Sequence, residues 1–433
     1  MTNSVWCEFK ERPKFESLNG DIKTEVLIVG GGIAGLLCAY HLKNAGIDCI
    51  LIEADKICSG ITKNTTAKIT IQHGLIYDRV TKSLGKEAAE LYYKANENAL
   101  NEFINLSKII DCDLQEKTAF VYSATKFKEI EREARALNEI GCPAFLTEET
   151  ELPFNKILAV GVGKQAQFHP LKFCFAIAKD LKIFENTKAL EFGKKYVLTN
   201  MGRVYFKKII IATHFPIINK HGFYFAKLYQ HRSYVLALEN TPKINAMYVD
   251  EDLKGLSFRG YNDLLLLGGG SHRTGKVGGG WRELERFAGE NYDNIKIVNR
   301  WATQDCMSLD GLPYIGQYSK NTQNMFTATG FNKWGMTTAM VAAAVLCDLV
   351  QEKKNEFADL FSPSRGILKP QLAVNLSESL IGVLNPKTPR CPHLGCALKY
   401  NRFEHSWDCA CHGSRFTKDG KLIDNPATDD IKL

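Results

Sequence analysis

Residues 25–53 read EVLIVGGGIAGLLCAYHLKNAGIDCILIE. The apolar run at 26–29 is bounded by glycines, the pattern of a strand buried on both faces of a parallel sheet. Gly30, Gly32 and Gly35 follow in the spacing G-x-G-x-x-G and lead into LLCAYHLKNAG, a helical pattern closed by Gly46. A second apolar strand, DCILIE, ends at Glu53. Gly30 permits the tight turn, Gly32 lets backbone N–H groups approach a pyrophosphate, and Gly35 lets helix and strand pack closely. The phosphates belong at the positive end of the helix, and Glu53 accepts hydrogen bonds from a ribose. The stretch predicts a nucleotide-binding strand–helix–strand unit.

Two later segments read as returns to the same sheet. VYFKKIIIATHFPI (204–217) is a strand ending at Ala212 and Thr213, and NMFTATGFNKWGMTTAMVAAAVLCDLV (324–350) is a strand, a glycine turn and a long apolar helix. The intervening segments, roughly 96–160 and 216–300, carry period-two runs, AFVYSA, SYVLALE and DLLLLGGG, which predict antiparallel strands. Residues 87–110 have helical periodicity.

These features resemble the D-amino-acid oxidase/glycine oxidase family of flavoproteins over most of residues 20–355. The resemblance rests on VLIVGGGIAGLLCAYHL, Glu53, SGITKNTTAK (59–68), DGLPYIG (310–316) and ATGFNKWGMT (328–337). It implies FAD as cofactor, with Gly30, Gly32, Gly35, Glu53, Thr62, Thr65, Thr66, Ala67, Thr213 and Gly330 around it. It also implies that Gly335, Met336 and Thr337 present helix-start N–H groups to the flavin pyrimidine edge, where a positive helix end stabilises negative charge. The expected fold class is α/β (α+β): an FAD-binding Rossmann-like domain (20–95, 161–215 and 300–355) with an inserted antiparallel-sheet substrate domain (96–160 and 216–299). A linker and helix (356–388) then lead to a small all-β module (389–433).

The bulk numbers narrow the function classes. The chain has 433 residues and a net charge of +7, but lysine and glutamate are mixed throughout, so no nucleic-acid patch is expected. No apolar run reaches the roughly 18 residues of a membrane helix, and the first residues lack a signal-peptide core. A cytoplasmic protein without a membrane span is expected. Nine of the thirteen cysteines are scattered singly, as small buried hydrophobes would be in a reducing compartment.

The other four cluster in PRCPHLGCALKYNRFEHSWDCACHGSRF (389–416), together with three histidines. Cys391-x-His393 is followed, fifteen residues on, by Cys409-x-x-His412. This resembles the Rieske [2Fe–2S] signature, which implies that Cys391 and Cys409 hold one iron and His393 and His412 the other. Neutral imidazoles in place of two thiolates raise the reduction potential. The resemblance also implies a Cys396–Cys411 disulfide tying the ligand loops, Ser414 hydrogen-bonded to a bridging sulfide, and Pro426-Ala427 as the loop covering the cluster. Phe416 stands where high-potential members carry a tyrosine, which implies an intermediate potential. Structural zinc is the alternative, but its usual order keeps cysteines and histidines in separate pairs. His405 falls outside the pattern and reads as a surface or packing histidine. The module is about 45 residues long, near the lower limit for independent folding, so it is expected to rely on its irons and on docking to the flavoprotein body.

The combined order resembles a bacterial family of FAD-dependent oxidoreductases with a Rieske domain, through NTTAKITIQHGLIY (64–77), WATQDCMSLDGLPYIG (301–316) and EHSWDC (404–409). The expected activity is oxidation of a small amine or hydroxy-acid-like substrate, with electrons passing from FAD through the cluster to a one-electron acceptor protein. The alternatives are an oxidase using O₂ with a peripheral cluster, or a redox-sensing binding protein. A ring-hydroxylating oxygenase would need a further iron site that no segment supplies. No catalytic residue is evident. Gln304, His272 and Arg273 are candidates, as is Arg232 for a substrate carboxylate, with Arg300, Trp301 and Thr303 near the position where amino-acid oxidases place an arginine. His73 either faces the flavin or is structural, Asp310 braces the turn before Pro313, and Cys306 offers a covalent flavin link that its spacing does not support.

Overall fold

The computed structural model describes residues 3–252, 255–386 and 389–433. Positions 253–254, inside the expected substrate domain, and 387–388, at the end of the expected linker, lie outside the described residues.

The apolar strand Val26–Val29 is completely buried and sits fourth in a six-stranded sheet ordered Tyr314–Gln317, Met325–Thr329, Lys208–Ile211, Val26–Val29, Cys49–Ile52, Ile183–Phe184. All neighbours are parallel except the first pair. Helix Ile33–Asn44 leaves the glycine turn and packs on helix Gly335–Val350, whose residues Ala339, Ala342 and Ala343 have no exposed surface. Small side chains there let two buried helices approach closely, which is why the second helix reads as apolar all round.

The turn explains its glycines. Gly30 has φ +112°, and a Cβ there would lie 2.5 Å from the Ala212 carbonyl oxygen; a Cβ on Gly35 would run into the Gly30 carbonyl oxygen. Gly30→Ala therefore strains the backbone and pushes apart two strands at once, a cost of about 1–3 kcal/mol. We expect this variant to retain its flavin roughly 5- to 150-fold more weakly, read as flavin-to-protein ratio after dialysis. Normal retention would contradict the account.

A nine-stranded sheet forms the second layer, in the order Lys296–Ser308, Leu228–Glu239, Leu264–Arg273, Ser257–Tyr261, Met247–Asp250, Gln115–Ser123, Leu158–Gln167, Lys68–Ile69, with Ala144–Thr147 also paired to Leu158–Gln167. It contains all three period-two runs. It departs from a purely antiparallel sheet where Met247–Asp250 runs parallel to Ala119–Tyr122. Strands Leu158–Gln167 and Lys296–Ser308 cross the boundaries drawn at 160/161 and 299/300. A long strand that starts in one layer and ends over the cofactor region has no composition shift to mark the crossing.

Two four-stranded sheets complete the chain. One joins Ile22–Lys23, Gly202–Tyr205, Tyr196–Thr199 and Ala189–Phe192; the other is the C-terminal meander Leu398–Asn401, Ser406–Cys409, Arg415–Thr417, Leu422–Asp424. Helix Pro370–Leu384 precedes the meander. No described helix is long and apolar enough to cross a membrane.

Candidate functional site

A cavity of about 1240 Å³ opens where the parallel strands end, larger than the roughly 300–1,000 Å³ of a drug-sized site. One end is bounded by Gly30, Gly32, Ile33, Glu53 and Thr62. Gly32 begins the helix with an extended backbone and no side-chain cap, while Thr62 Oγ1 accepts the Ile33 N–H at 3.0 Å. The remaining helix-start dipole faces the cavity and suits a phosphate. Burial pushes the Glu53 carboxyl upward, opposed by the Asp55 and Gly31 N–H groups it accepts, at 3.0 and 2.6 Å. Each oxygen keeps a lone pair for a ribose hydroxyl.

The wall continues through Thr65, Thr66 and Thr213 to Gly330, Gly335 and Met336 at the far end. Gly35, Ala67 and Thr337 lie behind it. Gly35 packs under the turn, Ala67 is fully buried and accepts from Arg259, and the Thr337 hydroxyl is held by His73 Nε2 at 3.0 Å. His73 also meets Tyr92 at 2.5 Å and stacks on Trp334, and burial holds its pKa down at about 3. It is a neutral, fully bonded wall residue. Size, helix end and acid together fit an FAD lying extended along the cavity.

The far end is charged, and strand parity decides which residues enter it. In the pair Leu228–Glu239 with Lys296–Ser308, His231 lies directly opposite Asp305, and Arg232 opposite Gln304. Tyr229, His231, Thr303 and Asp305 face the cavity. The Asp305 side chain makes no hydrogen bond or ion pair among the described residues. Burial raises its pKa to about 6, against the pull of Lys333 and Arg232. Lys333 reaches into the same space and bonds Ser271. Burial keeps His231 neutral, with a pKa of about 3. Cys306 also lines the cavity, its thiol pushed up to about 12 by burial. Asp310 is clamped by Arg365 through two 2.8 Å bonds, as a turn brace would be. Arg300 pairs with Glu285 on the surface, and Trp301 donates to the Asn64 carbonyl.

Gln304, His272 and Arg273 do not line this cavity; they sit on the opposite side of the wall, where the C-terminal module docks. Gln304 is fully buried and bonds Thr274, Gln230 and the Gly413 carbonyl at 3.0, 2.7 and 2.9 Å. Arg273 donates to the carbonyls of Ala410 and Cys411, both at 3.1 Å. His272 meets the Tyr234 hydroxyl at 3.1 Å. Arg232 forms a bidentate pair with Glu404 of the module. Asp305, one position from Gln304, is what the sequence reading missed, and one register step separates the two faces.

The module brings its four expected ligands together. His393 and His412 approach through Nδ1 atoms 3.3 Å apart. Two nitrogens at about 2.1 Å from one tetrahedral metal ion lie roughly 3.4 Å apart. Cys391 and Cys409 are buried and adjacent, with Ser414 beside Cys391. Each ligand loop closes with the same turn: the Gly395 N–H donates to the Cys391 carbonyl and the Gly413 N–H to that of Cys409, both at 2.9 Å. The disulfide Cys396–Cys411 joins the loops. Among the described residues, the one group of three or more such side chains with ligand atoms within 4.8 Å of one another is Cys396, Cys409 and Cys411, with no histidine. Thiols and imidazoles thus form two separate pairs, which fits a two-iron cluster and not a single zinc ion. Phe416 is fully buried, and His405 is exposed. The segment around Pro426 returns over Ser414, whose Oγ accepts the Ala427 N–H at 2.9 Å.

The module seats directly on the cavity wall. Gln230 donates to the carbonyls of His412 and Asn425 at 3.0 and 2.9 Å, and Asn425 donates to those of Thr213 and Phe215. A Cβ on Gly413 would lie 2.5 Å from the Gln230 Cβ, and one on Gly275 equally close to the Ala410 nitrogen. Asp424, Asn425, Ala427 and Thr428 line the large cavity themselves.

Comparison with known proteins gives two matching family models: FAD dependent oxidoreductase over residues 25–349, and Rieske [2Fe-2S] domain over 382–433. A Bacillus subtilis (strain 168) protein, YhfW, named for a Rieske 2Fe-2S iron-sulfur centre, is 33% identical over 494 aligned positions, spanning 99% of this chain and 97% of its own. Among solved structures, glycine oxidase from Geobacillus kaustophilus superposes with a TM-score of 0.67 at 19% identity, over 80% of this chain and 99% of that one. L-proline dehydrogenase from P. horikoshii gives 0.68 at 18%, over 80% and 98%. At these identities the two structures speak for the fold alone.

Proposed function

Because this chain belongs to the FAD dependent oxidoreductase family and ends in a Rieske [2Fe-2S] domain, we propose that it oxidises a small amine or hydroxy-acid-like substrate and passes the electrons through FAD and the cluster to an external one-electron acceptor. When bound, FAD supplies two-electron oxidation and the cluster single-electron transfer. The observation that carries the reading is the shared wall. Strand Leu228–Glu239 presents His231 to the cavity and Gln230 to the cluster loop, and strand Lys296–Ser308 does the same with Asp305 and Gln304. One sheet layer is roughly 10 Å thick, so the two sites are near neighbours.

Of the two substrate classes, the residues favour the amine. Asp305 is an unpaired carboxylate facing the reaction end of the cavity, placed to hold a substrate ammonium and to take its proton. Tyr229 and the neutral His231 beside it offer orientation without competing charge. The nine cysteines outside 391–411 are all unpaired, which supports a reducing, cytoplasmic setting.

The test is an anaerobic titration of the holoenzyme with candidate amines and hydroxy acids, followed by visible and EPR spectroscopy. We expect flavin bleaching with the cluster signal appearing in step. Flavin reduction with stoichiometric peroxide in air and an unreduced cluster would replace this reading by an oxidase, and no reduction by any substrate would support a binding protein.

A further inference from the structure

Helix Pro370–Leu384 is inverted. Asn375 and Glu378 turn toward the protein, and the small Ser377 is the exposed polar side chain on the other half. Asn375, 1% exposed, accepts from Arg273 at 3.0 Å and donates to the Ala226 carbonyl at 3.1 Å, and Glu378 pairs with Lys276 at 2.7 Å. Gly382 lies against the disulfide, where a Cβ would run into Cys411 Sγ. The large apolar side chains turn outward: Val374, Leu376, Leu380, Ile381, Val383 and Leu384, the last 70% exposed. At 3.6 residues per turn these positions cover about half the helix circumference, the half that an ordinary surface helix keeps polar.

The apolar surface extends beyond the helix. Leu368, just before it, is 90% exposed; Phe223, in the turn leading to segment Tyr224–Lys227 that packs on the helix, is 65% exposed; Leu394 adjoins the cluster ligand His393. The rim is basic. Lys369 stands at the helix start, Arg390 caps its far end by donating to the carbonyls of Val383, Asn385 and Gly395, and Lys220 and His221 are exposed beside Asn219, which bonds His393 Nε2 at 2.8 Å. The acidic residue of the helix, Glu378, is neutralised by Lys276.

We propose that this face lies on an anionic lipid surface, with the helix parallel to the bilayer plane and the His393 side of the module turned toward it. Three observations select this occupant. A half-circumference apolar face on a convex helix, continued by Leu368 and Phe223 on flanking turns, matches the shallow penetration of an interfacial helix. The helix has 15 residues, roughly 22 Å, too short to span the hydrocarbon core. The basic rim draws anionic headgroups, whereas a second copy docked face to face would set like charges against one another.

Sedimentation of the full-length holoenzyme with vesicles tests this. With phosphatidylglycerol-containing vesicles we expect binding that weakens with salt, and at least tenfold less with pure phosphatidylcholine. The triple variant Leu380→Glu, Ile381→Glu, Leu384→Glu should bind anionic vesicles at least tenfold more weakly with unchanged flavin and iron content. No binding to anionic vesicles, or equal binding by the variant, overturns the proposal. So does light scattering that shows a lipid-independent dimer converted to monomer by the variant, since a second copy would then cover the face.

Discussion

Glu404→Gln is expected to loosen the cluster module from the flavoprotein wall by about 3–5 kcal/mol, the cost of breaking a buried ion pair from one side. Glu404 takes both Arg232, through a two-bond fork that includes a 2.9 Å contact, and Arg415 at 2.9 Å, and accepts from Tyr234 at 3.1 Å. The side chains of Glu404 and Arg232 are each 7% exposed, that of Arg415 3%. Arg415 keeps Asp408 and Asp424 at 3.0 and 3.1 Å, but Arg232 would be left with Asp424 at 4.0 Å. A buried guanidinium without its carboxylate is the source of the penalty. Denaturant unfolding, monitored separately by cluster absorbance and flavin fluorescence, should show the cluster transition moving to lower denaturant in the variant. Coincident wild-type and variant transitions would show that the pair does not hold the module.

The same carboxylate gives the folded module a pH limit. Burial alone would raise its pKa, but the charges of Arg232 and Arg415 outweigh burial and hold it at about 2. In the unfolded chain it titrates near the ordinary value of about 4.3. A depressed carboxyl contributes stability that is complete above the unfolded pKa and drains away as pH falls from about 4.3 toward 2. At 1.36 kcal/mol per unit this amounts to about 3 kcal/mol. The cluster unfolding transition of the wild type should therefore move to lower denaturant across that window, and Glu404→Gln should flatten the slope.

Local spacing carried the parts of this molecule that were legible in its sequence. The glycine turn, Glu53 and the two ligand loops are each built within a few dozen residues, so their chemistry can be read without knowing the fold. Arg232 could not be read this way. Alone on a strand it resembles a substrate clamp, and its partner Glu404 lies 172 positions away. Gln304 and Asp305 pose a parity problem: adjacent residues on one strand face different compartments, and the sequence does not say which face is which until the strand is paired. The sequence predicts a helix within 356–388, but not that its apolar half faces outward. That depends on Arg273, Lys276 and the disulfide taking the polar half.

Asp305→Asn should change activity and stability in opposite directions. With a pKa raised to about 6 by burial, Asp305 is ionised at pH 7 yet remains a usable proton acceptor. If it receives the proton from a bound ammonium, kcat/KM for amines should rise with pH through about 6. In the asparagine variant that limb should vanish and the rate fall roughly 10²- to 10⁴-fold. Stability runs the other way. A raised carboxyl means that the folded protein binds the proton more tightly than the unfolded chain. Its ionisation therefore destabilises the fold progressively from about pH 3.9, the unfolded value, to about 6, and above that the cost is complete at about 3 kcal/mol. Asparagine has nearly the same shape and cannot ionise, so at pH 7 the variant should unfold at higher denaturant, by up to that amount, while the two proteins converge near pH 4. Lys333 and Arg232 already offset part of the burial cost, so the gain should shrink at low salt, where their attraction for the carboxylate is strongest. A variant that lost both rate and stability would make Asp305 a structural residue. One that kept its rate and pH limb would move the proton acceptor elsewhere in the cavity, with Glu251 and Lys68 next to be tested.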